Sequence, residues 1–306
     1  MTSSLFFTQL LNGLQLGILL FLLSAGLTLV FGIMNFVNLA HGSLYMMGAY
    51  FAAAAYRSTG SFVVAGLIAV AATLLLGLAV ERVALARLYS RDHLDQVLTT
   101  FGLILIFNEV VRFVWGSVPV YMNVPAALAG TVNLFGLAYS AYRLVIIAVG
   151  LAVGAGLYLL IHRTRVGMLI RAGAANGAMV AALGVNIRLL NTLVFGLGAA
   201  LAGLAGLMAG PIFAVQPGMG EPILILTLVV IITGGIGSIR GAFYGALLVG
   251  VVDTVGRAFL PGILREFFER AIAQAAGPAV ASILIYLLMA AVLALRPQGL
   301  FPVKRG

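Results

Sequence analysis

The chain has 306 residues, of which 63% are hydrophobic and 8% are charged, against about a quarter charged in soluble domains. So few charges cannot cover the surface of a soluble protein, and the composition predicts a membrane protein whose solvent is lipid. The net charge of +9 does not indicate nucleic-acid binding, because the basic residues stand at the ends of apolar runs rather than in a patch. The absence of cysteine excludes disulfides, thiolate metal sites and thiol nucleophiles.

The N-terminal segment is apolar, and the first charged residue along the chain is Arg57. A cleaved signal peptide begins with a positively charged region, which this segment lacks. The pattern therefore predicts a first membrane helix that is retained.

Nine apolar segments approach the length of about 20 residues that a helix needs to cross the hydrocarbon of a bilayer. They are 8–33, 42–56, 61–80, 96–115, 141–161, 190–209, 222–236, 241–260 and 279–295. The segments 42–56 and 222–236 are short or broken by glycine, which is tolerated at membrane depth only where protein or a water-filled cavity covers the backbone. The sequence predicts an all-α polytopic bundle of about eight or nine spans, forming one membrane domain over 1–306.

The orientation is predicted from the basic residues that connect the spans, because loops rich in Lys and Arg stay in the cytoplasm. Nine spans place eleven basic residues on one side: Arg82, Arg87, Arg91, Arg163, Arg165, Arg171, Arg188, Arg240, Arg296, Lys304 and Arg305. Six lie on the other side: Arg57, Arg112, Arg143, Arg257, Arg265 and Arg270. This bias favours an N-terminus outside and a C-terminus inside. If 8–56 is one span plus a re-entrant piece, the N-terminus moves to the other side.

Glycines recur four residues apart in several predicted spans. The pairs are Gly13/Gly17, Gly150/Gly154, Gly206/Gly210 and Gly241/Gly245. This spacing puts bare backbone on one face of a helix, so neighbouring helices can approach closely. We expect these glycines to serve packing rather than substrate contact.

The sequence lacks the motifs of ATP, dinucleotide and metal sites. No G-x-x-x-x-G-K-[ST] loop is present, and the one lysine is Lys304. Gly235 and Gly237 begin a G-x-G that is not completed, because Arg240 stands where the third glycine is needed. His41, His93 and His162 lie far apart, without acidic neighbours at ligand spacing. We therefore expect no cofactor, metal or catalytic site in this chain.

Two acidic residues inside spans have arginine partners at helical spacing. Glu109 lies three residues before Arg112, and Asp253 lies four before Arg257, so each pair shares a helix face. We expect structural ion pairs. If the protein were an ion-coupled carrier, these pairs would be its coupling sites.

The segment 163–190, RTRVGMLIRAGAANGAMVAALGVNIRLL, lies between two apolar spans. Its alanine-rich runs favour short helices, which Gly177 and Gly184 can break or end. Such an element, flanked by arginines, suits either docking on a cytoplasmic partner or lying in the lipid headgroups. Its residues alone leave both open.

The segment Asn35–Ser43 separates a long apolar run from a short one. Asn38 or Ser43 can cap a helix that begins near Gly42, whose positive dipole end would then face a cavity. Half-helices in transporters meet substrate carboxylates in this way. The alternative is a helix cap with no ligand.

Residues 235–247 show weak sequence similarity to residues 40–50, which suggests paired broken segments in two halves of a transporter. We therefore take a substrate pathway as a hypothesis. Its residues are Asn35, Asn38, His41, Gly42, Ser43, Gly235, Gly237 and Ser238.

Four stretches resemble the permeases of branched-chain amino-acid ABC importers. They are GLTLVFGIMNFVNLAHGSLYMMGAY (26–50), the segment 163–190, ITGGIGSIRGAFYGALLVG (232–250) and LRPQGLF (295–301). Together they extend over nearly the whole chain in the family's order. The segment 163–190 is similar to the cytoplasmic coupling loop of that family through Arg165, Gly167, Arg171-Ala172, the alanines at 174, 175 and 182, and 183–186. This chain departs from the family at 173–177, GAANG, where acidic or polar residues are usual.

The resemblance implies a permease subunit of the bacterial inner membrane, and not an enzyme. Its partners would be two cytoplasmic ATPases that bind ATP and Mg, a second related permease or a second copy, and an extracytoplasmic substrate-binding protein. The coupling residues implied are Arg165, Gly167, Arg171, Ala175, Gly184 and Asn186. The cargo implied is a branched-chain or related small amino acid or amide. An ion-coupled secondary carrier or a channel for a small polar solute is the alternative, and an intramembrane enzyme ranks last for want of catalytic groups.

Overall fold

The computed structural model describes residues 3–34, 36, 38–89, 91–134 and 136–302. Its α-helices are α1 Ser3–Met34, α2 His41–Thr59, α3 Phe62–Val83, α4 His93–Trp115, α5 Ala141–Arg163, α6 Arg165–Ala182, α7 Ile187–Ala209, α8 Gly220–Gly234, α9 Ile239–Leu264 and α10 Arg270–Leu295. Each of the nine predicted segments is a helix, which confirms the all-α bundle. The additional helix, α6, lies within the segment 163–190.

Seven of these helices are long and apolar enough to cross a membrane: α1, α3, α4, α5, α7, α9 and α10. The protein is therefore a multi-pass membrane protein. Helix α8 has 15 residues, about 22 Å at 1.5 Å per residue, which is less than the roughly 30 Å of hydrocarbon. Helix α2 is more polar and is buried over its first ten residues. Of the nine predicted spans, seven are thus helices with the length and hydropathy needed to cross a membrane, and α2 and α8 are not among them.

Helix α1 lies at the centre and packs antiparallel to α9 through glycine. A Cβ on Gly13 would lie 2.7 Å from Val251 Cα, and one on Gly17 would lie 2.8 Å from the Ala246 carbonyl oxygen. Farther along α1, a Cβ on Gly26 would lie 2.8 Å from the Gly198 carbonyl oxygen in α7. The hydrophobic effect does not drive helices together within lipid, so van der Waals contact between closely packed backbones supplies much of the attraction between these helices. These contacts confirm the predicted packing role of the Gly13/Gly17 pair.

Helix directions define two faces of the bundle. Helices α1, α3, α5, α8 and α10 end at the face where α4, α7 and α9 begin, as cross-helix contacts such as Ile18 with Gly150, Gly77 with Ala199 and Gly256 with Ala281 show. Among the described residues this face carries Arg82, Arg87, Arg91, Arg163, Arg165, Arg171, Arg188, Arg240 and Arg296. We call it the arginine-rich face. The other six arginines lie toward the opposite face, which is the predicted partition; Lys304 and Arg305 lie outside the described residues.

Helices α2 and α8 both begin inside the bundle. The His41 Nε2 atom lies 3.2 Å from the Leu23 carbonyl oxygen, about 16 Å before the end of α1. Gly220, the first residue of α8, abuts the backbone of Gly42 at the start of α2. From this contact α2 runs to the opposite face and α8 to the arginine-rich face. The two segments predicted to be short or broken, 42–56 and 222–236, are thus the two helices that meet inside the bundle. The pairing of 40–50 with 235–247 as related halves stays a prediction.

The C-terminal segment is anchored on the α8–α9 turn. Leu300 N–H donates to the Thr233 carbonyl, and Phe301 N–H donates to the Gly234 carbonyl, both at 2.9 Å. Gly235 has φ +108°, which favours glycine, and its Cα lies against Gly299. Two of the stretches that resemble the permease family, 232–250 and 295–301, are therefore one structural unit.

On the opposite face, the connection between α4 and α5 forms a small hairpin. Strands β1 Thr131–Leu134 and β2 Leu137–Ser140 pair antiparallel, with Thr131 opposite Ser140. A single bridge joins Val120 to Val215 in the α7–α8 connection. Short 3₁₀ helices lie at Leu85–Arg87 and Ala126–Leu128.

We predict that Gly250→Ala destabilises the bundle by about 1–3 kcal/mol, because its methyl group would overlap the backbone of Gly17. Gly156→Ala is the matched control, since a Cβ there meets no atom within 4 Å and alanine suits a helix better than glycine. Thermal unfolding of the purified proteins in one detergent measures both. Equal melting temperatures for the two variants would contradict the α1–α9 packing.

Candidate functional site

The turn into α6 is tight and capped. The Thr164 hydroxyl accepts a hydrogen bond from Gly167 N–H at 3.0 Å and donates one to the Leu160 carbonyl at 2.6 Å. A side chain at Gly167 would overlap the Leu160 carbonyl oxygen. The predicted coupling residue Gly167 therefore lets α6 fold back directly against the end of α5.

Helix α6 is two short helices joined at Asn176. The backbone of Asn176 is non-helical, at φ −155° and ψ 89°, and its side-chain oxygen accepts from Met179 N–H at 2.9 Å. That bond caps the second helix. The predicted pair of short helices is confirmed, with the break one residue before Gly177.

The second short helix ends in a Schellman motif. Gly184 has φ +87°, its N–H donates to the Ala181 carbonyl at 3.0 Å, and Val185 N–H donates to the Val180 carbonyl at 3.3 Å. The Asn186 side chain then caps α7 by accepting from Leu189 N–H at 3.0 Å. The predicted residues Gly184 and Asn186 thus set the direction in which α6 passes into α7.

The two sides of α6 differ in exposure. Gly167, Ile170, Gly173 and Val180 are buried against the bundle. The outer side is apolar and open: the exposed fractions are 55% for Met168, 59% for Met179 and 76% for Leu183. Arg165, Arg171 and Ala175 are also exposed, and neither arginine forms an ion pair with a described carboxylate. An element with this surface can accept a protein partner at the arginine-rich face.

A cavity of about 250 Å³ lies beneath α6. It is lined by Arg171 and Ala175 of α6, by Thr28 and Gly32 of α1, and by Gly237. The structure therefore brings Gly237 together with the α6 residues rather than with the start of α2. Ser238 caps α9 by accepting from Gly241 N–H at 3.0 Å.

The start of α2 holds unpaired polar groups. Asn38 is 1% exposed and His41 is fully buried. Neither amide atom of Asn38 has a hydrogen-bond partner in the described structure, nor has His41 Nδ1. The residue before the helix is Ala40 and no side chain caps it, so the prediction that Asn38 or Ser43 is the cap is wrong. The predicted pathway residue Asn35 lies outside the described residues.

Glu221 lies in the first turn of α8, inside the bundle. Its Oε1 atom accepts a hydrogen bond from the Asn108 amide of α4, while the Asn108 side-chain oxygen accepts from Gly218 N–H at 2.8 Å. Glu221 Oε2 is buried without a partner. The negative charge suits a helix N-terminus. Sequence reasoning missed Glu221, although an acid at the start of the apolar run 222–236 was a visible signal.

Glu81 is a second buried acid that sequence reasoning missed, and it links three elements. Its two oxygens accept from Tyr89 Oη at 2.8 Å and from Thr192 Oγ1 of α7 at 2.9 Å. Burial, and then the bond and charge of Glu81, raise the pKa of Tyr89, which keeps its hydroxyl protonated. The Tyr89 ring packs edge-to-face on Phe36, with centroids 5.6 Å apart. Contacts thus run from the start of α7 to the α1–α2 connection.

The two predicted ion pairs are present. Glu109 and Arg112 are 2.6 Å apart and exposed, and Asp253 and Arg257 are 2.7 Å apart, with Asp253 buried. Each pair lies within one helix, and Arg257 also donates a hydrogen bond to Ser282 Oγ of α10 at 3.0 Å. Over the described ranges, no group of His, Asp and Glu is arranged to hold a metal ion.

Comparison with known proteins identifies relatives over most of the chain. Residues 9–293 match the family described as the branched-chain amino acid transport system permease component. The permease BraD of Pseudomonas aeruginosa is 33% identical over 263 residues, which cover 81% of this chain and 85% of BraD. LivH of Escherichia coli K12 is 30% identical over 271 residues, 83% of this chain and 87% of LivH. Both are named high-affinity branched-chain amino acid transport permeases. No solved structure matches the chain.

We predict that Gly184→Ala weakens the α6–α7 junction by about 1–2 kcal/mol, because alanine resists a positive φ. Space is not limiting, since a Cβ on Gly184 meets no atom within 4 Å. Gly177→Ala is the control, because its Cβ is equally free and its φ is not positive. Hydrogen exchange at residues 184 and 185 should accelerate in Gly184→Ala alone. Unchanged protection would contradict the Schellman motif.

Proposed function

This chain belongs to the family of branched-chain amino acid transport permease components, and we propose from that membership how its own geometry serves transport. It is a multi-pass transport subunit and not an enzyme. The cargo that we propose is a branched-chain amino acid or a related small amino acid or amide. The observation that carries the mechanism is α6, a capped pair of short helices that presents an apolar outer side at the arginine-rich face.

The proposed energy source is ATP, hydrolysed by two ATPase subunits that dock on 163–190 and themselves bind the ATP and Mg. Met168, Met179 and Leu183 would fill an apolar cleft in that partner, and Arg165 and Arg171 would meet its acidic side chains. Docking also explains why these large apolar residues stand outside the spanning helices. The remaining proposed partners are a second permease, related or identical, and an extracytoplasmic substrate-binding protein.

We place the protein in the bacterial inner membrane, with the arginine-rich face in the cytoplasm. The support is the count of basic residues: nine of the described arginines lie on this face and six on the other. The whole chain would act as one membrane domain with 163–190 as its coupling element.

The proposed route of coupling leads from α6 to the start of α2. A partner that pulls α6 moves the start of α7, because Gly184 and Asn186 join them rigidly. Thr192 then moves relative to Glu81 of α3, and Tyr89 moves with respect to Phe36. Phe36 lies in the connection that carries Asn38 and positions the first residues of α2.

The proposed substrate contact is the junction of α2 and α8. Two helix N-termini meet there at Gly42 and Gly220, and both dipoles favour an anionic group such as a carboxylate. Asn38 and His41 supply buried polar atoms without partners, and a buried polar atom is costly unless something binds it. Glu221 supplies a carboxylate oxygen for the ammonium group of an amino acid.

An ion-coupled carrier is the second candidate, and Glu221 favours it. An unpartnered carboxylate oxygen at membrane depth is a feature of proton and sodium sites. The carrier would work without an ATPase, so α6 would have no partner to dock.

We predict that the assembled complex in liposomes takes up substrate only with ATP at the arginine-rich face, and that uptake survives ionophores that collapse proton and sodium gradients. Uptake of labelled leucine with each ionophore, at a measured ATP level, tests this. Loss of uptake while ATP stays high would establish the carrier instead.

We predict that Asn38→Leu abolishes uptake without lowering stability. Leucine fills a similar volume, and removing an unpartnered buried amide relieves a cost of about 1–3 kcal/mol. Tyr50→Phe is the control, because it removes another unpartnered buried group from α2, beyond the junction, and should leave uptake unchanged. Complex yield, melting temperature and uptake are measured together. Normal uptake by a stable Asn38→Leu complex would exclude Asn38 from the path.

A further inference from the structure

A groove of about 500 Å³ lies between α5 and α9, toward the arginine-rich face. Both helices pack on α1, and Phe21 of α1 forms the floor. Small residues, Gly154 and Ala155, form the α5 wall, and Phe243 and Tyr244 form the α9 wall. The groove is lined mainly by apolar residues and is open on the outside of the bundle, where Leu151, Tyr158 and Tyr244 are exposed.

One charged residue, Arg240, lines this groove. Its guanidinium carbon lies 5.7 Å from the centre of the Tyr158 ring, and Tyr158 stacks on His162 at 4.4 Å. Arg240 belongs to neither of the ion pairs among the described residues. A cation without a carboxylate, at the end of a spanning helix and beside aromatic rings, stands at the level of the lipid headgroups.

The groove is closed at the same end by the C-terminal segment. Phe301 stacks on Tyr244 with ring centroids 5.0 Å apart, and its N–H is bonded to the Gly234 carbonyl. Arg240 follows that turn in the chain. The cationic end of the groove is therefore held by backbone hydrogen bonds rather than by a free loop.

We propose that this groove binds an anionic phospholipid, with the phosphate on Arg240 and an acyl chain along Phe21, Ala155 and Phe243. Basic pockets between spanning helices at the cytoplasmic side are suited to anionic headgroups. An acyl chain matches an apolar groove that opens to the membrane. The lipid would join α5, which leads into α6, to α9.

Charge favours lipid over a second copy of the chain in this groove. A symmetric contact brings the same surface of both copies together. It would set Arg240 against another arginine-rich face, where Arg163 and Arg165 follow the end of α5. A lipid phosphate neutralises Arg240, whereas a second copy adds like charge.

The test is lipid retention by the detergent-purified complex, quantified by native mass spectrometry and extraction with phosphatidylglycerol as the probe. Arg240→Gln should reduce bound phosphatidylglycerol several-fold, and Arg240→Lys should keep most of it. Arg163→Gln is the matched control, since it removes a charge from the same face outside the groove, and should leave the amount of bound phosphatidylglycerol unchanged. Ala155→Trp should displace the lipid by filling the groove while Arg240 remains.

Melting temperature and complex yield show whether each variant is folded. Retention that is unchanged in both Arg240→Gln and Ala155→Trp overturns the proposal. An equal loss of bound phosphatidylglycerol in Arg163→Gln also overturns the proposal, because it would show that any positive charge on this face attracts the lipid. The sequence has no cysteine, so the variant Ala155→Cys carries a single thiol, which lies in the groove. A disulfide between two copies of this variant would show that the groove is an interface between permeases instead of a lipid site. The readout is bound lipid, so failure of the transport proposal leaves this result interpretable.

Discussion

Helices α2 and α8 begin side by side within the bundle because Gly42 and Gly220 put no side chain between their backbones. Much else depends on this contact. It directs two helix N-termini to one point at membrane depth, where an exposed helix end in lipid would be prohibitively costly. It requires other helices to cover both ends, which α1, α4 and α7 do. It also places Asn38, His41 and Glu221 close to that point, each with a polar atom that the described chain leaves unpaired.

At the arginine-rich face, the course of the chain is set by a series of helix caps. Thr164 caps the start of α6, and Asn176 divides α6 into two short helices. Gly184 ends the second short helix, and Asn186 caps the start of α7. Their hydrogen bonds fix the direction of α6 while its outer side stays free for a partner. Glu81 then joins α7 to Tyr89, so a movement of the face is passed inward through a few contacts instead of through the whole bundle.

Composition and pattern predicted the bundle, the helices and the partition of arginines, because lipid imposes strict length and charge rules. The packing glycines and the two short helices of α6 were also predictable, since both are local in sequence. The pairing of Gly42 with Gly220 was not, because it joins residues far apart through a backbone contact that leaves no periodic signal. The contacts of Glu81 and Glu221 were not predictable, because their partners Thr192 and Asn108 are distant in sequence. The expected side-chain cap on α2 is absent because the N-cap position is occupied by Ala40, which has no side-chain acceptor.

Transport through the junction of α2 and α8 requires that this junction open to water. Ser43→Cys places one thiol there in a chain that otherwise has no cysteine, and its reaction with a small water-soluble thiol reagent is measured in the assembled complex. We expect the thiol to react, at rates that differ between nucleotide-free and ATP-trapped complexes. Ala175→Cys in the isolated permease, where no ATPase covers α6, shows that the reagent is active. A thiol at residue 43 that stays unreactive in every state of the complex would show that the junction does not open to water.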